Sequence, residues 1–141
     1  MNEALIVLSS LGLLISTYFT CISFGWCRHD SAWMPRFCRM EKETCGAIVF
    51  TWRARLFGIP NSLLGQFYYL GIITGVLLGR FSHDSFLQMF LVASAITVLV
   101  AIYLTYSLFI VIRVRCHLCL ASHGINTIIF LLFLGPWEHW A

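Results

Sequence analysis

The sequence predicts an all-α fold: an integral membrane four-helix bundle with a long loop and a short interfacial helix between helices 1 and 2. Three observations carry that expectation. Of the 141 residues, 60% are hydrophobic and only 11% are charged. A soluble domain carries roughly 25% charged residues, so lipid is the expected solvent. Four stretches are apolar over the ~20 residues that a helix rising about 1.5 Å per residue needs to cross a bilayer. None of them alternates with period two, so helices rather than barrel strands are left to satisfy the backbone within lipid.

Helix 1 is expected over about 4–24, where the run from Ala4 to Phe24 carries no formal charge. It follows Met1-Asn2-Glu3 without a basic n-region and is longer than a signal h-region, so it is expected to be retained. Helix 2 is expected over about 58–79. The run from Leu56 to Gly79 is uncharged, and Pro60 falls near its start, where a helix tolerates proline. Gly71, Gly75 and Gly79 form two overlapping GxxxG units, read as close packing inside one bundle rather than as a dimer interface. Arg80 to Asp84 makes a short turn into helix 3, expected over about 85–112, which is long enough to tilt or to extend past the bilayer. Arg113-Val114-Arg115 links it to helix 4, expected over about 116–136, with His117 and His123 but no formal charge. The whole chain, 1–141, reads as a single domain.

The segment of about 25–55 is unlike the short links. It holds Cys27, Cys38, Cys45 and most of the charges, and a connection this long in a compact domain is usually functional or disordered. From Cys45 onward, Ile48, Val49, Trp52 and Leu56 recur at helical spacing, with Arg53 and Arg55 off that stripe. This is the pattern of a short amphipathic helix lying on the membrane interface. Counting four spans puts this loop and the link before helix 4 on one face. Cys38 and Cys45 then face the same compartment as Cys116 and Cys119.

Six cysteines in such a chain allow structural disulfides, a metal site or thiol chemistry. Cys116-His117-Leu118-Cys119 is a CxxC at the start of helix 4, where the helix dipole, the free N–H groups and Arg115 favour the thiolate. Cys119 lies about one turn deeper, since three residues rise roughly 4.5 Å. Cys38 and Cys45, separated by six residues in a polar stretch, can form a second disulfide. Exchange between such pairs runs through mixed disulfides, so two pairs on one face suggest an electron relay. Cys38, Cys45, Cys116 and Cys119 also have the ligand count of a zinc site, but a CxxC on a membrane helix is not a zinc knuckle, and no metal is expected. Covalent haem requires CxxCH, and Leu120 stands where the histidine would be. Cys21 reads as helix packing, and Cys27 has no assigned role.

These features, together with Gly58-Ile59-Pro60-Asn61-Ser62-Leu63-Leu64-Gly65 opening helix 2, resemble the vitamin K epoxide reductase family, including its quinone-linked bacterial and archaeal members. The resemblance covers nearly the whole chain. It implies a membrane thiol–disulfide oxidoreductase that passes electrons from a thiol protein to a quinone of the ubiquinone, menaquinone or vitamin K type. By the same resemblance, Cys116 and Cys119 match the active-site pair, with Cys119 reacting with the quinone ring. Cys38 and Cys45 match the shuttle pair, with Cys45 exchanging with Cys116 and Cys38 meeting the outside protein. Thr51 matches a family serine or threonine position, and Asn61 matches a position that hydrogen-bonds a quinone carbonyl in the animal enzymes. The chain departs from the animal pattern at His123, where those enzymes have a tyrosine. Histidine can still donate a hydrogen bond or a proton, and plain quinone reduction is the expected reaction rather than epoxide reduction.

The implied partners are a thioredoxin-like thiol protein, the membrane quinone pool and the bilayer, with no nucleic acid. The competing class is a non-catalytic membrane subunit that uses the same fold as scaffold. A pure scaffold has no need of four relay cysteines. Orientation is contested by two arguments. Eight of the nine Lys and Arg lie on the cysteine face, with only Arg80 opposite, which by the positive-inside rule places the cysteines in the cytoplasm. Disulfides persist outside the cytoplasm, and basic residues beside thiols also stabilise thiolate. The chemistry favours an extracytoplasmic active-site face, on a cell inner membrane or an ER membrane.

Overall fold

The computed structural model describes residues 2–24, 55–56, 59–112 and 117–135. Four helices dominate: α1 (Asn2–Ser23), α2 (Asn61–Leu77), α3 (Asp84–Tyr106) and α4 (His117–Leu134). Three of the segments are long and apolar enough to cross a membrane, Asn2–Cys21, Asp84–Ile110 and His117–Leu134. The 17 residues of α2 span about 25 Å at 1.5 Å per residue, close to the thickness of a bilayer's hydrocarbon core. The chain is therefore an all-α integral membrane bundle, as its composition predicts. The interfacial helix expected from Cys45 falls outside the described residues, except at its far end. There Leu56 belongs to a two-residue strand, β1 (Arg55–Leu56), paired antiparallel with β2 (Ile59–Pro60) in the register Arg55↔Pro60 and Leu56↔Ile59. The helical stripe thus stops short of Leu56, and α2 begins at Asn61, just after Pro60.

The exposed surface is that of a protein dissolved in lipid. On α3, Met89, Val92, Ile96, Leu99, Ile102 and Tyr106 form an outward stripe at helical spacing, each largely exposed. Hydroxyls within the spans bond back to their own helix. Ser10 donates to Ile6 O at 2.7 Å, Thr17 to Leu13 O at 2.7 Å and Thr20 to Ser16 O at 2.8 Å. With no water in the bilayer core, this local bonding gives each hydroxyl proton an acceptor.

Tight chemistry makes the α2–α3 turn. Gly79 has φ 63°, the left-handed conformation that ends a helix, and its N–H bonds Val76 O at 3.1 Å. A 3-10 turn, Arg80–Ser82, follows, and Asp84 supplies an acidic group to the first turn of α3, favourable against the helix dipole. The expected triple of packing glycines is thereby corrected: Gly79 serves the turn. Gly71 and Gly75 do pack, but against rings. A Cβ on Gly71 would meet Phe90 Cζ at 2.9 Å, and one on Gly75 would meet Phe86 Cε1 at 2.7 Å and Phe81 Cε2 at 2.9 Å.

Those rings belong to an aromatic core at the turn end of the bundle. The Phe81 ring lies 5.2 Å from Phe86, 5.4 Å from Phe90 and 5.3 Å from Phe133, centroid to centroid. Leu5, Tyr69, Ile72, Leu87 and Ile129 complete the cluster. Around the bundle, α1 packs on α2 and α4, and α3 packs on α4. By contrast α2 and α3 are held apart by the phenylalanines between them. At the opposite end, α3 passes into a π-helix, Ser107–Ile112, with Ser107 and Leu108 buried. Such wide turns are frequent at functional sites.

Candidate functional site

The end of α1, the start of α2, the end of α3 and the start of α4 meet at one end of the bundle, opposite the aromatic core. Between the two lies a cavity of about 240 Å³ walled by all four helices. Each helix contributes one face to it. From α4 come Cys119, Ser122, His123 and Asn126, spaced i, i+3, i+4 and i+7 on a single stripe. Thr97, Val100, Ala101 and Leu104 form the same pattern on α3, and Asn61, Gly65, Tyr68 and Tyr69 line the wall from α2. The sequence-predicted residues Cys119, Asn61 and His123 therefore border one cavity, with Cys119 itself buried. The other predicted site residues, Cys38, Cys45, Thr51 and Cys116, lie outside the described residues.

Two adjacent tyrosines close the cavity's inner end. Tyr69 belongs both to the cavity lining and to the buried core, about 12 Å along α2 from Asn61, eight residues at 1.5 Å each. Its ring lies over Gly12, where a Cβ would come within 2.6 Å of Tyr69 Cε1. Its hydroxyl donates to Asn126 Oδ1 at 2.5 Å, tying α2 to α4. The Tyr68 hydroxyl shares a hydrogen bond of 2.6 Å with Ser94 Oγ, tying α2 to α3. Near the outer end, Thr20 Oγ1 and Ser62 Oγ share a hydrogen bond of 3.0 Å that holds α1 to α2. Tyr68, Tyr69, Ser94 and Asn126 are not singled out by the sequence reading. The signal for Asn126 exists nonetheless, since it falls seven residues after Cys119 and so on the same face.

The walls are mostly apolar, and the cavity opens sideways. Leu64 of α2 and Ile96 of α3 both line it, yet are 37% and 56% exposed. The parting of α2 and α3 therefore gives the cavity a lateral opening toward lipid. On another side Ala101 and His123 also line an outer groove of about 270 Å³ that includes Ile102, Thr105 and Thr127. The two threonine hydroxyls are turned to backbone, Thr105 to Ala101 O at 2.7 Å and Thr127 to His123 O at 2.9 Å.

An apolar enclosure with a few convergent polar groups is the usual form of a small-molecule site. This one suits a flat, largely apolar ring that carries hydrogen-bond acceptors and arrives from the membrane. A cysteine in its wall adds the capacity for thiol chemistry. No curated protein shows significant similarity to the chain. The family model of the vitamin K epoxide reductase family, whose members are membrane oxidoreductases, matches residues 3–134 of the 141. That match takes in all four helices and the cavity between them, and the chain belongs to the vitamin K epoxide reductase family.

Proposed function

We propose that the chain is a membrane thiol–disulfide oxidoreductase that oxidises a thioredoxin-like protein and reduces a quinone held between its helices. The observation that carries this reading is Cys119 in the wall of an apolar cavity open to lipid, with Asn61 and His123 bordering the same space. The disulfide-bonded state of Cys119 supports its pairing with Cys116, three residues away.

In this reading a partner dithiol reduces the Cys38–Cys45 disulfide by exchange and leaves as a disulfide. The Cys45 thiolate then attacks Cys116 and releases Cys119 as a thiolate. Cys38 resolves the Cys45–Cys116 mixed disulfide and re-forms its own pair, so that Cys116 and Cys119 are left reduced. The quinone, when bound, accepts two electrons and two protons. Cys119 closes a disulfide with Cys116 as those electrons leave. Asn61 donates a hydrogen bond to a carbonyl oxygen, and His123 donates a hydrogen bond or a proton within the same cavity. Thr51 joins Asn61 and His123 as a quinone-binding residue in this reading. The balance is one partner dithiol and one quinone converted to one partner disulfide and one quinol. The site is extracytoplasmic in this reading.

Steady-state assay of the purified chain in lipid tests it. Quinone should be reduced in proportion to added thiol, with loss of activity in Cys119→Ala and in Cys116→Ala. Absence of turnover with every quinone class and thiol donor would favour the scaffold reading instead.

A further inference from the structure

We infer that the Asn126 carboxamide, oriented by Tyr69, is a second hydrogen-bond donor to the quinone, placed at the inner end of the cavity away from Asn61. This rests on the quinone reading above and adds a residue to it. A quinone ring carries two carbonyl oxygens and no donors. A site in lipid that fixes such a ring must therefore supply N–H or O–H groups at both ends, because water is not there to do so. At the outer end Asn61 borders the cavity with Cys119, and His123 borders it about one turn of α4 deeper than Cys119. At the inner end the polar side chains are Tyr68, Tyr69 and Asn126, with Thr97 beside Tyr68 and Ser122 beside Tyr69.

Hydrogen-bond accounting selects among these: Thr97 gives its proton to Ser94 O at 2.7 Å, and Ser122 is engaged with the Tyr69 hydroxyl. The Tyr68 hydroxyl is engaged with Ser94 Oγ at 2.6 Å. The single proton of the Tyr69 hydroxyl is given to Asn126 Oδ1 at 2.5 Å. A carboxamide has one acceptor oxygen and two N–H donors. With Oδ1 taken, Asn126 keeps its N–H donors, and among the described residues nothing accepts from them. Asn126 is half-buried beside this mostly apolar cavity, where lipid offers its N–H groups no acceptor, and a carbonyl oxygen entering the cavity supplies one. Tyr69 has little freedom to turn away, since its ring is enclosed, 1% exposed, and seated over Gly12. The tyrosine thus acts as a positioning residue, which fixes which edge of the carboxamide is left as donor.

The test is infrared difference spectroscopy of the purified protein in lipid, loaded with a short-tailed 1,4-naphthoquinone carrying ¹³C at one or the other carbonyl. In the unaltered protein both carbonyl bands should lie at hydrogen-bonded positions. In Asn126→Leu one band should return to its free position and the other stay put, with binding about tenfold weaker, the loss expected of one good hydrogen bond. Tyr69→Phe should broaden the same band and leave the other unchanged, with a loss of about threefold. If Asn126→Leu does not fold, Asn126→Ala supplies the reading, because its side chain has no donor in any protonation state. Both bands unchanged in Asn126→Leu or Asn126→Ala, with the naphthoquinone still bound, would overturn this inference and leave the proposed function standing. No binding of the naphthoquinone to the unaltered protein would overturn both.

Discussion

Tyr68 and Ser94 share a hydrogen bond of 2.6 Å across the gap between α2 and α3. Elsewhere in that gap the two helices meet through phenylalanine rings seated on Gly71 and Gly75. The pair marks the point where the aromatic core gives way to the cavity. Interhelical hydrogen bonds in membranes couple by about 0.6 kcal/mol on average and up to about 1.7. A double-mutant cycle of Tyr68→Phe and Ser94→Ala should give a coupling in that range, because Ser94 is buried and loses its partner in the single variant. The measurement is unfolding in mixed detergent micelles. Additive losses would mean that the two hydroxyls do not depend on each other.

Glycines should sort by what their missing side chain would touch. Gly75→Ala drives a methyl against Phe81 and Phe86, whose rings are locked among Phe90 and Phe133. The expected cost is about 1–3 kcal/mol, the usual range for overpacking. A Cβ on Gly124, in α4, would meet nothing within 4 Å. Gly124→Ala should therefore be neutral or stabilise by about 0.5–1 kcal/mol through helix propensity. Thermal unfolding of the two variants side by side checks the ranking, and equal effects would contradict it.

The architecture is legible in the sequence because lipid imposes simple rules. Uncharged runs of sufficient length become helices, and the turn at Gly79 to Asp84 is announced by charge and glycine. The limits of legibility are equally physical. An apolar run that passes unbroken through Leu56 and Pro60 hides the change from strand pairing to helix at Asn61. The same uniformity hides the widening of α3 into a π-helix at Ser107. For the site, Cys119 and His123 share a helical stripe that spacing reveals. Asn126 lies on that stripe too, but a lone asparagine on an apolar helix declares no partner until Tyr69 is seen to reach it. Adjacent residues on a helix point about 100° apart, so pattern alone does not tell which neighbour Tyr68 and Tyr69 each address.

A relay with separate shuttle and active-site pairs should respond differently to large and small donors. Replacing Cys38 with Ala should spare quinone reduction driven by a small dithiol, which can reach Cys116 and Cys119 directly. The same variant should lose most activity with a protein dithiol. Activity ratios with the two donors check this, and an equal loss with both would remove the shuttle role.

The cysteine face should be extracytoplasmic. The chemistry of disulfide formation motivates this against a basic bias of eight residues to one. Charges in short links near helix ends weigh most in orientation, and Arg113 and Arg115 are of that kind, whereas Arg36, Arg39 and Lys42 lie well inside a long segment. The other face offers Arg80 against Asp84 in the same turn. A membrane-impermeant thiol reagent should label Cys38 in intact, reduced cells. Labelling only after lysis would mean an inverted protein with a cytosolic partner.

The central claim is that electrons leave Cys119 for a quinone. An anaerobic single-turnover experiment addresses it without any partner protein. The chain is reduced, freed of reductant and mixed with excess quinone, and quinol is counted against thiols lost. One quinol should form for each dithiol pair oxidised, because each pair yields two electrons. Cys119→Ala should form none while still binding the quinone. Quinol formation undiminished in Cys119→Ala, or absent from the unaltered chain with quinone bound, would contradict the account.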